Sequence, residues 1–189
     1  MSLPVKGSHM RTLLTFGLFV ACGLTLACSS SSTAPTSPVP AGTHQSAIAA
    51  VSGPGRGGVS MTPKAIPEGT MSVDISILLT DARPNATYFV QRAPEVGRAL
   101  AADGICQRAV GSSPWSASDP AAPAFLTFPL GTGLATMTTA ANGTGFLDFN
   151  YRSPTLPAGL VFDVMFRLVD NETAPTTELR SGCITVVVK

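Results

Sequence analysis

The acids best placed to do chemistry in this chain are Asp74, Asp148 and Asp163, each on the polar side of a stretch that alternates apolar and polar residues. Two carboxyls facing one substrate can act as general acid and as nucleophile or base in glycoside hydrolysis. A solvated strand face requires acids at the same positions, and it explains them without a substrate. The partners that other hydrolases need are missing. Only two histidines occur, His9 and His44, both ahead of the segment that reads as folded, so no Ser–His or Cys–His pair can assemble there. The sequence has no G-x-S-x-G, phosphate-cradling glycine loop or H-E-x-x-H. Asp170-Asn171-Glu172 offers oxygens that would suit calcium, but without the spaced acids of a dedicated loop it reads as a solvated turn. The three N-x-T triplets, at Asn85, Asn142 and Asn171, read as asparagine turns in the same way. The expectation is a protein that is not an enzyme and needs no metal or cofactor.

One stretch stands apart from this. Residues 93–123 separate two extended segments, and connections longer than about 12–15 residues in a compact domain often carry function. This one holds Arg98, Arg108 and the only tryptophan, Trp115, set between Ser112-Ser113-Pro114 and Ser116. A tryptophan in such a loop can stack on a sugar ring or anchor a protein partner. It can equally fold back as a cap on the domain.

The elements that must hold this loop are extended. Val73, Ile75, Ile77 and Leu79 alternate with polar residues, and Leu160, Phe162, Val164, Phe166 and Leu168 form a second apolar face opposite Asp163 and Arg167. Further strands are expected over 87–92, 125–130, 133–139 and 183–188, with a hairpin over 136–149 around Asn142-Gly143. Residues 95–102 form the one helix candidate. Seven or eight short strands with turns between them indicate an all-β fold, an antiparallel immunoglobulin-like β-sandwich spanning 69–189.

Ahead of that domain the chain reads as an address. Residues 1–9 are a tag or upstream-start segment and carry no functional argument. Residues 10–27 have the Arg, the apolar run and the small-residue boundary of an export signal. Leu24-Thr25-Leu26-Ala27-Cys28 resembles the lipobox of bacterial lipoproteins. The resemblance implies that Cys28 is lipidated and becomes the mature N-terminus, with an ordinary cleaved signal and a secreted protein as the alternative. It implies a membrane partner through the lipid anchor and a cell-envelope location, at the outer membrane if the cell is Gram-negative. Residues 28–68 are rich in Ser, Thr, Pro, Gly and Ala, and read as a flexible, disordered tether. Cys106 and Cys183 are then the pair left in the folded part. In an oxidising compartment they are expected to form a disulfide, worth at most about 4–5 kcal/mol by the loop-entropy argument. The formal net charge is +1, and only Lys64 and Lys189 remain as lysines beyond the leader. No polybasic footprint for nucleic acid exists.

The run from Leu79 to Tyr88, LTDARPNATY, is similar to the L-x-P-x-T-x-Y approach to a strand in fibronectin type III and related sandwiches. Thr138 to Gly145, TTAANGTG, resembles a hairpin of small exported bacterial sandwich domains with no assigned activity. What these resemblances imply is architecture alone. Taken together, the expectation is a lipid-anchored envelope protein whose sandwich binds a glycan, a protein or a small ligand through the 93–123 loop. The competing expectation is a structural or assembly subunit that pairs through a strand edge, and a less favoured one is a hydrolase using carboxylates alone.

Overall fold

Strict alternation over residues 71–79 dictates a strand with one buried face. A computed structural model, which describes residues 42–98, 100–110 and 125–189, contains that strand, with Val73, Ile75, Ile77 and Leu79 each 0% exposed. The leader, Cys28 and Trp115 lie outside the described residues. Among those described there are twelve strands: β1 (His44–Ser52), β2 (Arg56–Lys64), β3 (Thr70–Thr80), β4 (Thr87–Pro94), β5 (Leu126–Thr127), β6 (Pro129–Leu130), β7 (Gly133–Leu134), β8 (Thr136–Thr138), β9 (Gly145–Pro157), β10 (Val161–Val169), β11 (Glu178–Ser181) and β12 (Ile184–Val187). The single helical turn, α1, is Gln107–Val110. Ten of the strands form one sheet in the order β5-β4-β10-β11-β1-β2-β3-β9, with β12 branching from β10 and β8 from β4. β6 and β7 form a separate ribbon.

All the pairings are antiparallel, so the fold is all-β and antiparallel as expected. Ten of its strands make one curled sheet. Phe128 lies 5.2 Å from Phe149 on β9 and stacks at 5.8 Å on Phe166 of β10. Since β9 and β10 stand far apart in the strand order, only a curl brings both to one ring. The core fills the concave side, where Val59, Tyr88, Phe162, Leu168, Leu179 and Val186 join the β3 residues.

The tether expected over 28–68 is corrected by β1 and β2 in its described part, from residue 42 onward; residues 28–41 lie outside the described residues. Residues 44–64 form a hairpin wedged between β11 and β3, with Ile48, Val59 and Met61 in the core. The glycines that read as linker are structural. Gly53 and Gly55 take positive φ values in the turn, and Gly57 sits so close to β3 that a Cβ would fall 1.9 Å from the Leu78 carbonyl oxygen. Pro63 is tolerated because the β1 ladder ends at Met61, leaving no donor to lose on that side.

Two further expectations change. The described residues of the helix expected over 95–102 form turns instead, with Gly97 at positive φ. The hairpin over 136–149 keeps its turn, closed by Gly143 N–H donating to the Ala140 carbonyl at 3.0 Å. Its arms part company, however: β8 pairs with β4 and β9 with β3, so the turn carries the chain from one end of the curl to the other. Tyr88 is buried, and its hydroxyl accepts from Arg83 N–H at 3.3 Å, closing the turn ahead of β4.

Candidate functional site

Alternation along β4 sends Tyr88, Val90, Arg92 and Pro94 to the concave side. Arg92 is thus a charged residue at a core-facing position. Its guanidinium carbon lies 4.4 Å from the Phe128 ring centre and 4.5 Å from that of Tyr151, while Nη2 donates to the Tyr151 hydroxyl at 2.8 Å and Nη1 to the Thr127 carbonyl. Burial pushes its pKa down and the Tyr151 hydroxyl pushes back, but a guanidinium keeps its charge throughout the accessible range. Among the described residues no carboxylate pairs with it. Two ring faces and two hydrogen bonds are what compensate its desolvation.

The concave face turns polar at this same end. Phe149, Tyr151 and Ser153 share the inward side of β9, and the Ser153 hydroxyl lies 3.2 Å from that of Thr155. Behind them opens a cavity of about 260 Å³. Its floor is apolar, built from Met61, Met71, Ile75, Phe162 and Val164, while Arg92, Tyr151, Ser153 and Thr155 supply polar groups and Val96 and Arg108 close one side.

Val96 and Arg108 belong to the loop that the sequence singles out. The described part of it, residues 95–98 and 100–110, is held by two carboxyls that are 0% exposed: Glu95, which closes the loop on itself, and Asp163, which ties it to β10. Glu95 accepts from Arg108 N–H at 2.7 Å and from the Arg98 guanidinium. Asp163 accepts from Gly104 N–H at 2.6 Å and from the Thr185 hydroxyl, while its backbone N–H donates to the Ala101 carbonyl at 2.6 Å. The Cys106–Cys183 disulfide, Cα–Cα 5.5 Å, adds a covalent tie to the segment entering β12. Arg98 therefore faces Glu95, with Asp103 at 4.0 Å. Arg108 is 8% exposed and donates to the Pro94 carbonyl at 3.3 Å.

The three aspartates are not brought together. Asp74 and Asp148 share the convex face of β3 and β9, where Asp74 meets Lys64 and Asn150 and Asp148 accepts from Ser76 at 2.6 Å. Asp163 sits on β10, and its expected solvated strand face is corrected, because the loop covers it completely. The Asp170-Asn171-Glu172 oxygens are engaged internally. Asp170 accepts from Thr176 and Thr177 N–H and from Arg83, Asn171 from Thr173 and Ala174 N–H, and Glu172 from Gln91.

On the convex face of β10 and β11, Arg167 and Arg180 share Glu178 and lie 4.8 and 5.1 Å from the Phe125 ring centre. Burial alone would raise the Glu178 pKa, and the hydrogen bonds from the two arginines outweigh it and hold it below the usual range.

Sequence reasoning did not pick out Arg92. The signal was present: carried two residues past Val90, the alternation puts an arginine where an aliphatic residue belongs. No family model, curated protein or solved structure matches the chain.

Proposed function

We propose that the protein is a non-catalytic ligand-binding module of the bacterial cell envelope, held to a membrane by lipid on Cys28. Its ligand site is the cavity between the curled sheet and the fastened loop. The observation that carries this reading is the cavity itself: a protein-lined space with an apolar floor and a few convergent polar groups is the usual form of a small-molecule site. The loop contributes to binding as a fixed wall, through Val96 and Arg108, rather than as a free arm displaying arginines. The two ends of the curl act as the layers of an immunoglobulin-like sandwich, a reading supported by the Tyr88 hydroxyl that closes its turn on Arg83 in the manner of the tyrosine corner of such folds.

The test uses a neutral apolar dye, N-phenyl-1-naphthylamine, titrated into the full chain. Saturable fluorescence enhancement that Leu156→Phe, a filling substitution in the cavity wall, reduces at least fivefold is the expected result. Non-saturable enhancement, or enhancement indifferent to Leu156→Phe, would overturn it.

A second reading has its own support. β9 runs for thirteen residues and pairs among the described strands with β3 alone. An edge that long is a template for strand addition by an assembly partner.

A further inference from the structure

Resting on the reading that the cavity is a ligand site, we propose that its ligand is a small monocarboxylate with a short apolar body, bound head-first to Arg92. A guanidinium has five N–H donors. Two of those on Arg92 are engaged, by Thr127 and Tyr151, and three remain. The Phe128 and Tyr151 rings stand on the guanidinium so closely, at 4.4 and 4.5 Å, that its remaining affinity is directed along its edge. A planar carboxylate meets such an edge with two parallel hydrogen bonds, which a neutral hydroxyl cannot do.

Charge points the same way. Each ion pair formed by a described acid joins it to another base: Asp74 to Lys64, Asp81 to Arg56, Asp170 to Arg83, Glu95 and Asp103 to Arg98, and Glu178 to Arg167 and Arg180. The cavity therefore contains, in Arg92, a cation with no counter-ion among the described residues. A cationic ligand would be repelled there. A neutral one would leave the charge with its ring faces and two hydrogen bonds but no counter-ion.

The rest of the lining sets the body of the ligand. Met61, Met71 and Ile75 make its floor apolar, and the methionines adapt to flexible alkyl chains. A space of about 260 Å³ limits that body to a short chain.

Isothermal titration of the full chain with octanoate, 1-octanol and octyltrimethylammonium, all below their aggregation limits, compares one tail under three heads. Octanoate is expected to bind one per chain, at least tenfold tighter than octanol, with no binding of the cation. Arg92→Met should weaken octanoate by roughly tenfold to a hundredfold, the range for a hydrogen bond to a charged group, and Arg92→Lys by less. Thermal melts of both variants establish whether they fold, and if neither does, the wild-type comparison of heads decides. Octanol bound as tightly as octanoate would overturn carboxylate recognition while leaving the cavity as a binding site. Saturable dye binding without any octanoate binding would do the same. Failure of dye, octanoate and octanol alike would overturn both.

Discussion

At the scale of single residues, what distinguishes this protein is where its charges are buried. Asp163 ties a loop to β10, Glu95 closes that loop on itself, and Arg92 lines a cavity. Asp163→Ala leaves Gly104 N–H and the Thr185 hydroxyl without their acceptor, and should destabilise the protein by about 2–4 kcal/mol in urea unfolding. Asp163→Asn, which keeps an acceptor oxygen, should cost about half as much. If both variants unfold with the native midpoint, Asp163 is not the fastening. Asp170 provides a pH-dependent counterpart. Burial would raise its pKa, but Thr176, Thr177 and Arg83 together hold it below the ordinary carboxylate value. A carboxyl depressed in the fold contributes stability that is fully present above its unfolded pKa, near 3.9, and is lost as the pH falls through its folded value. Unfolding midpoints should therefore drop as the pH falls below about 4, and Asp170→Asn should shallow that drop; an equal slope in the variant would remove Asp170 as a contributor. Little of this was legible in the sequence. An aspartate opposite a run of Phe and Val on one strand reads as solvent-facing, because nothing local reveals that a distant loop will lie over it.

At the scale of elements, legibility followed pattern strength. The aliphatic alternation of β3 and β10 announced both strands, since period-two spacing leaves a single buried face. β1 and β2 were concealed by composition. Gly, Ser and Pro over 52–60 resemble a linker, yet Gly57 is there because β3 passes too close for any side chain. The difference is measurable. Ile48→Ala should cost about 2–5 kcal/mol as a core truncation, whereas in a solvated tether it would fall within about 0.5 kcal/mol of zero. The disulfide follows from cysteine arithmetic, and its partners do meet. Reduction should lower the melting temperature by several degrees, and an unchanged melt would mean that Cys106 and Cys183 do not staple the loop. The Asn142-Gly143 turn was legible as a turn, but the separate partners of its flanking strands depend on the long-range curl, which local sequence does not encode.

At the scale of the whole molecule, the account joins an address to a site. The address rests on Cys28 and is tested by Cys28→Ser, which should release the protein from the membrane fraction and abolish fatty-acid labelling; labelling that persists would place the lipid elsewhere. The site rests on the curl, which brings β4, β9 and β10 around Phe128 and leaves one end of the concave face unfilled by the described residues. The most direct measurement is a methyl spectrum of the full chain labelled at its methionines and titrated with octanoate. Met61 and Met71 line the cavity, while Met137 is buried elsewhere in the core and Met165 packs beside the disulfide. The account predicts saturable shifts at Met61 and Met71 with Met137 and Met165 unmoved. Shifts confined to Met137 or Met165, or no shift at any of the four, would contradict it.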